Sequence, residues 1–296
     1  MKHYPVLLNE SIDLLGLKPG NIVLDATLGA AGHSKKIVEL ISPGGKLIGI
    51  DKDQESLSSS SEELLALGFD CKYYFKQSDF KKIGEVLDSF GISKIDAALF
   101  DLGVSSMQLD NASRGFSIKN DGPLDMRMDN SKELTAEYVI NRYPQSELER
   151  ILKEYGEERH AMLIARKIVD ARKEGDIKTT FQLRDIIHKT VVRYYKDQKI
   201  HPCTRSFQAV RIEVNDELTA CYTGINDTLM SLNSGGRMAV ISFHSLEDRM
   251  VKNIFKDFSN KDLVEILTRK PITPTDEEIF KNTRSRSAKL RAIRKT

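Results

Sequence analysis

The feature that most constrains the fold is a regular alternation of short apolar runs and helical stretches at the start of the chain. The runs read NIVLDA, KLIGID, CKYYF and IDAALFD, at residues 21–26, 46–51, 71–75 and 95–101. Each is apolar over nearly its whole length, which is typical of strands buried on both faces of a sheet. Strand, helix and strand at this spacing predict parallel pairing with right-handed crossovers, hence a doubly wound α/β sheet.

Two Ser-x-x-Glu patterns predict where helices begin, because a serine and a glutamate at this spacing can form a capping box. The pairs are Ser59 with Glu62, or Ser60 with Glu63, and, further along the chain, Ser146 with Glu149.

A change of pattern after the fourth run predicts a second domain. Residues 102–130 are rich in Gly, Asp, Asn and Ser, and long loops inside compact domains are usually functional. From 134 to 204 the periodicity is helical, without strands, so we expect a helical insertion there. Further strand candidates follow at 237–243, 263–268 and 288–294. The predicted Rossmann-like domain therefore comprises residues 1–133 and 205–296.

The composition narrows the class of protein. The chain is 40% hydrophobic and 30% charged, which suits a globular protein with a sizeable core. No apolar run approaches the roughly 18 residues of a spanning helix, so we expect a cytoplasmic protein that binds no membrane. The cysteines Cys71, Cys203 and Cys221 lie far apart and the six histidines form no metal-binding motif, so we expect no disulfide framework and no metal site.

The net charge of +2 does not indicate a nucleic-acid partner, but the charges are distributed unevenly. The range 281–296 contains seven lysines and arginines and no acidic residue. A segment of this kind is either a solvated tail or a surface that binds phosphates, and charge alone leaves both interpretations open.

Three acidic residues indicate where a ligand binds. Ligands of open α/β sheets bind beyond the carboxyl ends of the strands, and Asp25, Asp51 and Asp101 stand at three such ends. A turn containing Gly29 and Gly32 follows Asp25, and an acid about 20 residues further on can accept both ribose hydroxyls of an adenosine. Alternatively, the glycines only form a turn and Asp51 caps a helix.

The local sequence favours one adenosine cofactor over another without deciding between them. The loop reads G-A-A-G and lacks the middle glycine of the dinucleotide fingerprint, at which a pyrophosphate approaches the backbone. S-adenosylmethionine carries no phosphate, so it is favoured over NAD.

Several long segments together closely resemble one family, the ribosomal small-subunit RNA cytosine-N4 methyltransferases, called RsmH or MraW. The resemblance runs from His3 almost to the C-terminus. The segments are 3–10, 25–34, 49–53, 101–110, 114–117, 122–129, 155–159, 201–218, 235–252 and 284–291. The resemblance implies a class I S-adenosylmethionine-dependent methyltransferase with a helical insertion. Its implied substrate is the exocyclic N4 amine of a cytidine in the decoding region of 16S rRNA, within the small ribosomal subunit.

The resemblance also implies the cofactor-binding residues. They are Ala31, Gly32, His33, Asp51, Phe80, Asp101 and Gln108. The family usually has a second glycine where this chain has Ala31, and proline where it has Thr283.

We expect Asp101 to orient the amine toward the methyl donor, or only to bind the methionine part of the cofactor. The cytidine should be flipped out of the RNA. His244 is either a second catalytic candidate or a residue with only a structural role. Phe116 and Phe243 are further base-contact candidates, each with a competing place in the core. The candidate RNA contacts are Arg205, Arg211, Arg284 and Arg286, whereas Arg127 is expected to pair with Asp125 or Asp129.

Three other functions compete with this prediction. A cytosine-C5 methyltransferase would use a thiolate nucleophile, and Pro202-Cys203 resembles such a site. An RNA-binding assembly factor would keep the fold without turnover. An NAD oxidoreductase would require the missing glycine.

Overall fold

The computed structural model describes residues 4–195 and 200–296, so His3 lies outside the described residues. The chain divides into two compact units. The first comprises Met1–Gly103 and Leu218–Thr296, and the second comprises Val104–Glu217. No helix in the described ranges has the length and apolar character that crossing a membrane requires.

The first unit contains one mixed sheet. Its strands are β1 (Ile22–Asp25), β2 (Gly45–Asp51), β3 (Cys71–Gln77), β4 (Ile95–Asp101), β5 (Leu232–Ser242), β6 (Val264–Ile266) and β7 (Lys289–Lys295). The order in the seven-stranded sheet is β3-β2-β1-β4-β5-β7-β6. The first five strands pair in parallel, and β7 runs antiparallel to both of its neighbours. The predicted doubly wound α/β sheet is therefore confirmed, and its strand order reverses between β1 and β4.

Helices connect the strands and build the second unit. They are α1 (Leu8–Leu15), α2 (Gly32–Ile41), α3 (Gln54–Ala66), α4 (Ile83–Ser89), α5 (Ser106–Asp110), α6 (Ala136–Arg142), α7 (Gln145–Glu154), α8 (Ala161–Ala171), α9 (Thr180–Val191), α10 (Thr204–Asn215), α11 (Glu217–Ser231), α12 (Ser245–Ser259) and α13 (Asp276–Lys281).

The central strands β1, β2 and β4 are covered on both faces, which explains why they are apolar over nearly their whole length. The edge strand β3 contains no fully buried residue. Successive residues of one strand belong to opposite hydrophobic clusters: Leu47 and Leu99 lie in one, and Ile48 and Phe100 lie in the other. The first cluster also contains residues of α1, α2 and α3, and the second contains residues of α4, α11 and α12. Side chains alternate between the two faces of a strand, so helices on both faces require apolar residues at every position.

The second unit extends beyond the predicted insertion, 134–204, at both ends. Its hydrophobic cluster includes Phe116, Leu124 and Met126 from the preceding loop, and Phe207 and Val210 from α10. The loop and α10 therefore share one core with the predicted insertion.

Both helix starts predicted from capping boxes are wrong. Helix α3 begins at Gln54, before the serine run, because the Asp53 side chain accepts hydrogen bonds from the backbone N–H groups of Glu55 and Ser56. Helix α7 begins at Gln145, directly after Pro144, and its N-cap makes no side-chain hydrogen bond. In each case the helix begins before the serine that was predicted to cap it.

Candidate active site

The end of β1 fixes the loop that follows it. Asp25 is buried, and its carboxylate accepts hydrogen bonds from Ser34 Oγ at 2.6 Å and Thr27 N at 3.1 Å. Burial raises the pKa of this carboxyl, and the two hydrogen bonds oppose the rise. Asp25 therefore connects the start of the loop to the first turn of α2.

The end of β2 is joined to the glycine turn by Asp51. Its Oδ2 accepts a hydrogen bond from Gly29 N, and its Oδ1 accepts one from Asp53 N, both at 2.8 Å. Burial raises the pKa of Asp51 to about 6, so its carboxyl is ionised at neutral pH. Each carboxylate oxygen has a further lone pair, so it can accept another hydrogen bond. The alternative in which Asp51 caps a helix is wrong, because Asp53 caps α3.

The backbone is closely packed where the loop enters α2. Ala31 is the N-cap, with φ 56° and ψ 20° in the left-handed region that favours glycine. At Gly32 a Cβ would lie 2.7 Å from Pro5 Cγ, closer than two carbon atoms can pack. Glycine is therefore required at position 32, whereas alanine at position 31 is strained.

Replacing Ala31 by glycine is expected to raise the free energy of unfolding by roughly 0.5–1 kcal/mol. The left-handed conformation costs an L-residue about 1–2 kcal/mol, and the greater freedom of glycine in the unfolded chain offsets about 0.4–1 kcal/mol of this. Urea denaturation measures the change. Ala66→Gly, at the exposed end of α3, is the matched control and should destabilise the protein. If Ala31→Gly destabilised the protein, the claim that alanine is strained in the left-handed conformation at position 31 would be contradicted.

Asp101, at the end of β4, has an uncommitted carboxylate oxygen. Its backbone N–H donates to Thr27 Oγ1 at 2.6 Å, but its buried Oδ1 has no hydrogen-bond partner among the described residues. Burial, together with the carboxylates of Asp25 and Glu247, raises the pKa of Asp101 to about 8. This acid can therefore hold a proton at neutral pH, and a cation or hydrogen-bond donor beside it would favour its ionised form.

His33 lies beside this carboxyl. Its Nε2 lies 3.0 Å from the Val6 carbonyl oxygen, and its Nδ1 lies 3.8 Å from Asp101 Oδ2. A carbonyl only accepts hydrogen bonds, so Nε2 carries the proton in this contact. The contact with Val6 thus holds the ring with Nδ1 toward Asp101.

Phe80 stands on a short 3-10 helix, Phe80–Lys82, that follows β3. Lys52 Nζ lies 4.9 Å from the centre of its ring and 3.1 Å from Asp79 Oδ2. The ring also meets Phe100 edge-on, with 6.0 Å between the ring centres. Phe80 therefore lies just after the carboxyl end of β3, with its ring against Lys52, the residue that follows Asp51.

Gln108 belongs to the second unit. Its side-chain oxygen accepts a hydrogen bond from Ser105 N, and its own N–H donates to Ser105 Oγ, which together form the capping box of α5.

The structure brings Asp25, Gly29, His33, Asp51 and Asp101 together at the carboxyl edge of the first unit's sheet.

His244 has a structural role, which was one of the two alternatives that the sequence left open, and this role is that of a helix cap. Its Nδ1 accepts a hydrogen bond from Glu247 N at 3.4 Å, and the Glu247 carboxylate accepts bonds from Phe243 N and His244 N. This is a capping box at the start of α12, with histidine in the position usually held by serine or threonine. The His-x-x-Glu spacing at the end of a strand was the available signal. Contact of His244 with a substrate stays a prediction.

The other two base-contact candidates pack against hydrophobic residues. Phe116 is 6% exposed and lies in the core of the second unit. Phe243 is partly buried against the cluster that contains α1, α2 and α3.

The predicted phosphate contacts differ in how far their charges are already satisfied. Arg211 forms two hydrogen bonds with the Glu217 carboxylate, at 2.8 and 2.9 Å, and Arg205 donates to the Glu157 carbonyl oxygen at 3.3 Å. Arg284 and Arg286 are exposed on a 3-10 turn, Thr283–Ser287. These two have the greater access to solvent.

Arg127 pairs with Asp125, which was one of its two predicted partners. Its Nε and Nη2 donate to the Asp125 carboxylate at 2.8 and 2.7 Å, and its Nη1 donates to the carbonyl oxygens of Asn130 and Lys132. Arg127 therefore stabilises its own loop.

Most of the basic tail is engaged within the first unit. Lys281 pairs with Glu277, Lys289 and Arg291 both pair with Asp248, and Arg294 pairs with Glu265. The tail as a whole is therefore not an open phosphate-binding surface, because these charges are already balanced.

Cys203 lacks the properties of a covalent nucleophile. The side chain is fully buried, and its Sγ lies 3.3 Å from the Arg184 carbonyl oxygen. Burial raises the pKa of the thiol to about 12, so the reactive thiolate does not form near neutral pH. The burial and the raised pKa of this thiol disfavour the cytosine-C5 alternative.

Replacing Cys203 by alanine is expected to leave the rate of methyl transfer within about twofold of the original, because the inert thiol makes no contribution to chemistry. Loss of the buried sulfur should cost roughly 1 kcal/mol of stability. The rate at saturating substrates checks this, and Cys221→Ala, also buried, serves as the control. Complete loss of transfer from a folded Cys203→Ala protein would restore the covalent mechanism.

Comparison with known proteins identifies the family. The whole chain, residues 1–296, matches the sequence model of the MraW methylase family. Ribosomal RNA small subunit methyltransferase H of Caldicellulosiruptor saccharolyticus is 48% identical over 309 residues, covering 99% of each chain. The protein of the same name from Clostridioides difficile is 46% identical over 308 residues, covering 99% of this chain and 98% of that protein. The fold is confirmed as that of an S-adenosylmethionine-dependent methyltransferase, and the NAD oxidoreductase alternative is therefore excluded. The chain belongs to the MraW methylase family.

Proposed function

We propose that this protein transfers a methyl group from S-adenosylmethionine to the exocyclic N4 amine of a cytidine in the decoding region of 16S rRNA. Relatives that match over nearly their whole length are named as small-subunit ribosomal RNA methyltransferases. The observation that carries the choice of an amine is Asp101, an acid with a free oxygen at the end of β4. A cytoplasmic location stays a prediction.

The residues of the first unit fit the cofactor that we propose. Asp51 is held by two backbone N–H groups and can still accept hydrogen bonds from both hydroxyls of a ribose. Asp101 Oδ1 is a buried acceptor without a partner among the described residues, and it suits an ammonium group or an amine. The other predicted cofactor-binding residues of this unit are Ala31, Gly32, His33 and Phe80. Gln108 is assigned from the resemblance alone.

The chemistry requires a residue that acts on the amine. S-adenosylmethionine, when bound, supplies an electrophilic methyl group on a sulfonium sulfur. The lone pair of the cytosine amine is delocalised into the ring, so a residue must orient the nitrogen. Ionised Asp101 can accept a hydrogen bond from the amine and thereby direct the nitrogen lone pair. His33 is a positioning residue in this scheme, because its ring lies against Asp101.

Asp101 can also receive the proton that the reaction releases. Methylation leaves the nitrogen with a positive charge, and it returns to neutrality by losing one proton. A carboxyl whose pKa lies near 8 accepts that proton more readily than an ordinary aspartate does. For the nitrogen to reach this edge of the sheet, the cytidine must be flipped out of its stack.

The candidate RNA contacts are Arg284 and Arg286, which are exposed, and Arg205, which is partly exposed. Arg211 is the weakest of the four, because Glu217 already binds its guanidinium.

Nucleoside mass mapping tests the proposal directly. The protein is incubated with labelled S-adenosylmethionine and small subunits that lack the modification, and the labelled nucleoside is then located and identified. We expect label on N4 of one cytidine. Label on C5, label on another base, or binding without transfer would each contradict the proposal. A parallel reaction with free 16S rRNA tests whether the assembled subunit is required.

A further inference from the structure

The aromatic side chain of Phe280, in the first unit, is the most exposed large apolar side chain among the described residues. Phe280, in the last turn of α13, is 87% exposed, whereas the next most exposed large apolar residue among those described, Met162, is 64% exposed. An isolated exposed apolar residue needs no explanation by itself. The surroundings of Phe280 therefore decide its significance.

A second exposed ring lies on the segment bonded to α13. Tyr4 is 57% exposed, and its carbonyl oxygen accepts a hydrogen bond from Asn282 Nδ2 at 3.3 Å. The Leu7 backbone N–H donates to Glu278 Oε1 at 2.8 Å, which attaches the same segment to the middle of α13. Two exposed aromatic side chains therefore stand on two segments that are tied together.

The charge around Phe280 changes sign along the chain. The first turn of α13 is acidic, but Glu277 pairs with Lys281 at 2.6 Å and Glu278 binds the Leu7 backbone. No acidic residue follows Glu278 in the sequence, and the turn that follows α13 exposes Arg286. Further along the tail, Lys289, Arg291 and Arg294 pair with acids, and Lys295 donates to backbone carbonyl oxygens. Within the tail, the arginines of the turn after Phe280 are exposed, whereas the cations that follow them are partly buried, buried or paired with an acid.

We propose that Phe280, Tyr4 and the turn Thr283–Ser287 form a binding surface for single-stranded RNA beside the target nucleotide. This inference rests on the proposed function, because it takes the substrate to be RNA. Exposed rings give unpaired bases a face on which to stack, and neighbouring arginines bind the phosphates. Flipping one base out also unstacks its neighbours, which then need new stacking partners.

The composition favours RNA over a protein partner. The core of a protein interface is depleted of lysine, glutamate and aspartate. Phe280 instead stands on the same short helix as the paired charges Lys281 and Glu277, shortly before the arginine-bearing turn in the sequence. An exposed aromatic ring close to a cationic turn is the arrangement that sequence-independent binding of single strands uses.

Affinity for a labelled oligouridylate of about 12 nucleotides tests the surface, with the full-length protein and without cofactor. Phe280→Ala and Phe280→Leu are both expected to weaken binding roughly five- to a hundred-fold, and Phe280→Trp is expected to retain it, because stacking needs an aromatic ring. Met230→Ala, 59% exposed on α11, is the matched control and should leave affinity unchanged. Phe280 is exposed, so none of its replacements should impair folding.

The salt dependence of binding separates the roles of the two residue types. Arg286→Ala is expected to reduce the slope of log affinity against log salt concentration by about 0.7, as the loss of one phosphate contact requires. Phe280→Ala should leave that slope unchanged.

Two results would overturn the surface. One is a Phe280→Leu protein that binds the oligonucleotide as well as the original. The other is a Phe280→Ala protein with unchanged RNA affinity and an altered oligomeric state, which indicates a protein contact. Methyl transfer to small subunits is scored separately. Normal transfer with unchanged affinity of Phe280→Ala refutes this surface alone, whereas absent transfer by the unaltered protein refutes the proposed function.

Discussion

Replacing Asp101 by alanine is expected to lower turnover at saturating S-adenosylmethionine by a factor on the order of 10²–10³, the usual effect of removing one group that stabilises developing charge. The variant loses the proposed acceptor for the cytosine amine and the proposed base for its proton. Single-turnover transfer to small subunits measures the rate, and titration of the cofactor measures its affinity separately.

Asp96 provides the matched control on the same strand. It lies at the opposite end of β4, where its carboxylate accepts hydrogen bonds from Ile22 N and Asn233 Nδ2. Asp96→Ala should therefore lower stability and leave turnover unchanged. If Asp101→Ala weakens cofactor binding while turnover of the saturated enzyme stays normal, Asp101 binds the cofactor and does not orient the amine.

The raised pKa of Asp101 also predicts how stability depends on pH. The ordinary value is 3.8 and the folded value is about 8, so between these pH values the folded state binds a proton that the unfolded state has lost. This contribution to stability is lost as pH rises through that window. Asp101→Asn, which cannot ionise, should therefore gain stability relative to the original protein between about pH 5 and about pH 9. Urea denaturation at both pH values checks the difference.

The second large effect is expected at Asp51. Asp51→Ala should weaken the binding of S-adenosylmethionine by at least roughly 10- to 100-fold, since the loss of even one hydrogen bond to a charged group costs about 1.5–3 kcal/mol. The variant loses the proposed ribose acceptor and the bond that fixes Gly29. Calorimetric titration measures the affinity.

Asp53 is the matched control, because it caps α3 two residues away. Asp53→Ala should cost about 1 kcal/mol of stability and leave cofactor affinity unchanged. The pKa of Asp51 is raised to about 6, so affinity of the unaltered protein should also decline as pH falls below that value. Equal affinity in Asp51→Ala and the unaltered protein would remove Asp51 from the site.

The sheet and the residues at its carboxyl edge could be predicted because local sequence encodes them. A strand covered on both faces must be apolar at every position, so β1, β2 and β4 are recognisable without knowledge of their partners. Each of these strands ends in an aspartate, and parallel pairing brings those ends to one edge. Prediction succeeded where a residue's environment follows from the element that carries it.

The remaining features depend on contacts between distant parts of the chain. The apolar residues of the loop before α6, including Phe116 and Met126, are scattered without periodicity, so only packing shows that they belong to the second unit's core. Likewise, Asp248 neutralises Lys289 and Arg291 across 41 and 43 residues. An acid-free run of sequence therefore overstated the charge available to RNA.

The position of β7 has a consequence for how the protein is made. This strand lies between β5 and β6 and pairs with both, although nearly all other residues of this sequence are synthesised before it. Until residues 289–295 emerge from the ribosome, β5 has an unpaired edge and β6 has no strand to pair with, and unpaired strand edges favour aggregation. The sheet is therefore completed only when translation has passed this segment, and deleting residues 289–295 should lower the free energy of unfolding.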